Sequence, residues 1–175
     1  MISCTEFIPA YSELFRFLEK KGGYKAVVGF WESLSDSYLK KTLKALVKKH
    51  GIRGCWLYWS KSLNEEAADF TMELDEEAGE FQIKMHRCPS KGMLNRIKHY
   101  KPYPKYCEHC DVLYRRVLEP LGFECITDLT QCHKARCSFL LRLRDSAGTG
   151  RGKTAKSCAR AKRKAPAKKV SAKAR

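Results

Sequence analysis

The stretch A-D-F-T-M-E-L-D-E-E-A-G-E-F-Q-I-K-M-H, from Ala68 to His86, decides the fold class. Phe70, Met72 and Leu74 alternate with Thr71 and Glu73. After Glu76-Glu77-Ala78-Gly79, Phe81, Ile83 and Met85 alternate with Gln82, Lys84 and His86. A period of two on both sides of a turn predicts a β-hairpin with one apolar face. That face needs a cover, and the chain before it supplies helical patterns.

Phe7, Tyr11, Leu14, Phe15 and Leu18 recur at helical spacing, with Pro9 suited to a first turn and Gly22-Gly23 to a stop. Val27, Val28, Trp31 and Leu34 mark a second helix from Tyr24. Ser35 or Asp36 can cap a third, with Leu39, Leu43, Leu46 and Val47 inward, five lysines outward, and an end at His50-Gly51. Ile52, Cys55, Trp56, Trp59 and Leu63 mark a fourth. These four helices read as an amphipathic packing platform without a polar site of their own.

Beyond the hairpin, Pro89 begins a short helix running from Ser90 to about Lys98. The prolines at 102 and 104 hold His99–Pro104 in a loop. A longer helix follows from Tyr106 or Cys107 to Leu118, stopped by Gly122. Phe123–Asp128 and Ser138–Arg144 read as two more strands. The expected class is α+β: an N-terminal helical platform, an antiparallel sheet of about four strands, two of them the hairpin, and two further helices. Residues 1–144 form one domain.

Residues 145–175 differ in kind. They carry 11 of the 35 basic residues against one acid, Asp145, and almost no large apolar side chain. Such a composition cannot offset the entropy of ordering, so a disordered tail is expected. A polycation of this sort either binds nucleic acid without sequence choice or serves as a solubilising extension. No secretion signal and no run of about 18 apolar residues is visible, so a cytoplasmic protein without a membrane partner is expected. In that reducing compartment, nine cysteines point to free thiols, metal ligands or redox groups rather than structural disulfides.

The chemistry concentrates between His86 and Phe139. Six of the nine cysteines fall there: Cys88, Cys107, Cys110, Cys125, Cys132 and Cys137. Cys107-x-x-Cys110 is the tightest motif. At a helix start its two sulfurs share a face, and the helix N-terminus favours thiolate. Such a pair binds a soft metal, cycles through a disulfide, or supplies a nucleophile. The candidate metal set is Cys88, Cys107, Cys110 and Cys137, for zinc or an iron centre, with His86, His109 and His133 in reserve. The candidate catalytic set is Cys88 or Cys107 as nucleophile, with Asp111 and His109 handling protons. Arg87, Lys91, Arg115 and Arg116 would attract a carboxylate-bearing small molecule. Cys55 and Cys125 sit in apolar contexts and belong to the core.

Three motifs together resemble a known family. They are Cys88-Pro89 after a strand, Cys107 followed within four residues by Asp111 at a helix start, and Cys137-Ser138-Phe139 opening a late strand. From about Tyr24 to Leu143 the chain resembles the L-2-amino-thiazoline-4-carboxylic acid hydrolase-like family. The resemblance implies hydrolytic opening of a cyclic amidine-like C–N bond in a small sulfur-containing amino acid, giving a carbamoyl-cysteine. Carried over by position, it implies a site at Cys88, Cys107, Asp111 and Cys137. This chain departs from the pattern by adding Cys110 and Cys132, and by the charged H-K-A-R before Cys137. The extra thiols favour an alternative, a non-enzymatic Cys-ligated metal-binding or sensor domain.

Overall fold

The structure, a computed structural model, describes residues 4–144 and 170–173. The element order is α1 (Cys4–Leu34), a π-turn (Ser35–Leu39), α2 (Leu43–His50), α3 (Arg53–Glu65), β1 (Asp69–Asp75), β2 (Glu80–Arg87), α4 (Pro89–Arg96), α5 (Glu108–Leu118), β3 (Phe123–Asp128), a 3₁₀ turn (Cys132–Lys134), β4 (Cys137–Leu143) and β5 (Val170–Lys173). This is the expected α+β class.

The glycine pair at 22–23 separates two helical arms within α1. Gly22 (φ −144°, ψ 19°) and Gly23 (φ 68°, ψ −176°) leave helical geometry, and only glycine adopts the second conformation without strain. The kink folds one arm against the other, so that Phe15 and Trp31 meet edge to face at 5.1 Å. The expected third helix is interrupted. A π-turn takes up Ser35–Leu39, and α2 begins only at Leu43. Ser35 is fully buried there and its Oγ donates to the Leu113 carbonyl at 2.8 Å, fastening the turn to α5.

The sheet order is β3-β4-β2-β1-β5, and every pairing in it is antiparallel. The hairpin register sets Phe70 against Met85, Met72 against Ile83 and Leu74 against Phe81. Those side chains and Leu141 lie on the covered face, with Leu43, Val47, Cys55, Trp59 and Leu118 packed over them. The expected apolar alternation is thus the buried face of a two-layer structure. A second cluster joins Phe15, Val27 and Trp31 of α1 to Leu94, Tyr103 and Tyr106. Tyr103 anchors the proline loop: its N–H donates to buried Ser12 Oγ at 2.8 Å and its hydroxyl to Glu19 at 3.0 Å.

The β5 segment lies within the tail expected to be disordered, and pairs Val170 with Leu74 and Lys173 with Thr71. The remainder of that expectation, for residues 145–169 and 174–175, lies outside the described residues. Among the described residues no helix is long and apolar enough to cross a membrane.

Candidate functional site

Register explains why cysteines far apart in the chain become neighbours. Cys137 opens β4 opposite Met85, three residues before Cys88, so both lie at one end of the sheet. The Cys88 N–H donates to the Ala135 carbonyl at 2.8 Å, closing that end. Asp128 ends β3 opposite Ser138, which places the Cys132 turn at the same end. Thr127 Oγ1 donates to Asp111 Oδ1 at 2.5 Å, which brings the start of α5 alongside. The result is a cavity of about 220 Å³ walled by α3, β2, α4, α5 and the β3–β4 connection. Cys88, Cys107, Cys110, Cys132 and Cys137 all line it, together with His109 and Asp111.

The thiols are not the thiolates that helix-start geometry suggests. Burial pushes Cys88 up to about 11 and both Cys110 and Cys137 up to about 12; Cys107 rises further, with Cys132 beside it adding to the burial effect. Desolvation disfavours the charged form, and it is the largest cause of the rise at each of these thiols. Cys110 is the most exposed of the five, and it lines the cavity. Cys88 has a further task. It caps α4, its Sγ accepting from the Lys91 N–H at 3.4 Å, with Pro89 in the first turn.

On this wall is a thiol–imidazole pair that the spacing of cysteines does not reveal. His109 Nε2 lies 3.4 Å from Cys110 Sγ, and its Nδ1 meets the Tyr106 carbonyl. A carbonyl only accepts, so Nδ1 carries the ring proton and Nε2 presents its lone pair to the thiol. The ring is fixed edge to face on Tyr11 at 5.7 Å and Tyr106 at 5.0 Å. Burial lowers its pKa, which keeps the imidazole neutral and able to accept a proton.

Asp111 is held by an ion pair and by hydrogen bonds to both of its oxygens. Arg115 grips it in a fork, Nε to Oδ2 at 3.2 Å and Nη2 to Oδ1 at 2.8 Å, while Thr127 takes Oδ1 as well. Both oxygens are engaged, so this carboxylate ties α5 to β3. Arg115 also holds Glu119, and Arg116 pairs with Glu32 and Asp36. Of the four cations expected to surround the site, Lys91 lines the cavity, and Arg136 joins it. His86 lies on the open side of the sheet, 2.6 Å from Thr71 Oγ1, and exposed His133 offers its carbonyl to Asn95. Cys55 and Cys125 are buried in the main core, as their apolar contexts predict.

Among the described residues no group of three or more His, Cys, Asp or Glu side chains is arranged to hold a metal ion. Cys88, Cys107, Cys110 and Cys137 share the cavity wall. The helical platform contributes more than packing. Tyr58, Trp59 and Glu66, on α3 and just past its end, form part of the cavity wall. Their amphipathic spacing carries no sign of this, because a cavity wall and a core face have the same period.

No protein-family model matches this chain, and no curated protein or solved structure is significantly similar to it.

Proposed function

We propose that the cavity binds a small cyclic amidine or thiazoline and that Cys110 with His109 opens its ring by hydrolysis. The reading is supported chiefly by one observation: a thiol and an oriented, neutral imidazole stand 3.4 Å apart on the wall of a cavity of about 220 Å³. That volume lies below the roughly 300–1,000 Å³ of sites for drug-sized ligands, so the ligand is small. The resemblance of Cys88-Pro89, Cys107 to Asp111 and Cys137-Ser138-Phe139 to the thiazoline hydrolase-like pattern agrees in substrate class.

The chemistry balances as follows. His109 Nε2 takes the Cys110 proton as the sulfur attacks the amidine carbon. The ring C–N bond at that carbon breaks, and His109 returns the proton to the leaving nitrogen. Water then adds to the same carbon, the Cys110–carbon bond breaks, and the proton reaches the sulfur through His109. In this reading Cys88, Cys107, Cys132 and Cys137 shape the wall as neutral thiols.

The test is incubation with 2-amino-thiazoline-4-carboxylate, following ring-opened product by chromatography, alongside elemental analysis of untagged protein. Turnover that Cys110→Ser reduces by about a hundred-fold or more, without stoichiometric metal, is expected. Stoichiometric zinc or iron with unreactive Cys88, Cys107, Cys110 and Cys137 would contradict it in favour of a metal-binding domain.

A further inference from the structure

The corner of the cavity formed by α3 carries a charge that the proposed ring opening does not use. Glu66 lines the cavity just past the end of α3, and among the described residues no cation pairs with it. Around it the wall is aromatic. Tyr58 and Trp59 from α3 meet Tyr114 from α5, with Trp59 and Tyr114 edge to face at 4.9 Å, and Phe139 of β4 stands 5.6 Å from Trp59. We propose that this corner recognises an organic cation, an amidinium or guanidinium group, with Glu66 as counter-ion and the rings of Trp59, Tyr58, Tyr114 and Phe139 as its wall.

The physical case has two parts. Glu66 keeps exposed surface, but the part of its carboxylate that faces the apolar wall loses water, and its pKa is raised by burial and then by Glu65. A ligand cation restores what solvation the wall removes. The ring quadrupoles of Trp and Tyr add a further attraction for positive charge and for flat, weakly hydrated groups. The other charges on the wall leave this corner acidic. Arg115 neutralises Asp111. Lys91 bears on Cys107, whereas Glu66 bears on Cys110, Cys88, Tyr58 and Tyr114. Arg136 enters from the segment before β4.

The inference rests on reading the cavity as a ligand site, but not on turnover. Its probes are 2-amino-2-thiazoline, protonated at neutral pH, and 2-methyl-2-thiazoline, of the same ring and size but neutral. Calorimetric titration of the full chain should give about ten-fold tighter binding of the cation. Glu66→Gln, its fold checked by circular dichroism, should erase that preference. Equal affinities, a preference surviving in Glu66→Gln, or no binding of either probe overturns the proposal. A cation preference without ring opening leaves it standing and removes the hydrolase; ring opening without the preference does the reverse.

Discussion

Alkylation of the cavity thiols should be slow, and its rate can be worked from their surroundings. Take Cys110, held up to about 12 by burial, with Glu66 and Asp111 adding to the shift. An unperturbed cysteine titrates at about 8.5, so at pH 7.5 the thiolate population of Cys110 falls by about three thousand-fold. The sulfur that does ionise is the stronger nucleophile, and a Brønsted slope of about 0.4–0.5 returns roughly half of that loss on a logarithmic scale. Iodoacetamide should therefore label Cys110 about fifty-fold more slowly than it labels glutathione. Cys137, also near 12, should follow, with Cys88, near 11, somewhat faster. The assay is mass spectrometry of tryptic peptides at timed quench. Each rate should climb ten-fold per pH unit from 7 to about 10. A Cys110 that labels faster than glutathione, with a rate flat above pH 7, would refute the reasoning and restore the thiolate that the CxxC spacing suggested.

Other expectations follow from the same structure. Because the thiols at 55, 88, 110, 125 and 137 are raised, the unfolded chain loses protons first; stability holds below about pH 8.5 and declines from there to about 12, seen as a falling melting temperature. His109 has the opposite sense. Its lowered pKa means the unfolded chain binds the extra proton, so acidification below about pH 6.5 destabilises the fold, an effect that His109→Gln should weaken. Gly54→Ala should destabilise by about 1–3 kcal/mol in urea titration, because its Cβ would meet the Leu46 carbonyl at 2.5 Å and Val47 N at 2.6 Å. Asp111→Ala removes the fork to Arg115 and the bond to Thr127. With both partners partly solvated, about 1–2 kcal/mol of stability should be lost, and a double-mutant cycle with Arg115→Ala should recover most of it as coupling.

The fold was legible wherever one period held over a whole element. Phe70 to Met85 could be read as a hairpin because a strand slipped by one residue would turn all three of its apolar side chains to water. Gly22-Gly23 marked the break in α1 because the backbone there takes φ 68°. The π-turn at Ser35–Leu39 was not legible. It depends on the Ser35 hydroxyl reaching Leu113, 78 positions away. The same distinction divides the site. Cys88 and Cys137 at strand ends and Cys107 at a helix start could be gathered by counting elements. The Cys110–His109 pair could not, since adjacent residues on a helix normally point apart. Here Tyr106, through its carbonyl, turns the imidazole back onto the thiol. The bond from Thr127 of β3 to Asp111 was not legible for a related reason: it is a tertiary contact, and at a helix start a carboxylate suits several roles.

The account turns on five sulfurs and one imidazole facing a common small space. Differential alkylation with and without saturating 2-amino-thiazoline-4-carboxylate measures this most directly. Cys88, Cys110 and Cys137 should be protected together, over one concentration range, while Cys55 and Cys125 in the core are indifferent to ligand. Protection of none of the three, or of one alone with the others unchanged, would contradict a shared cavity.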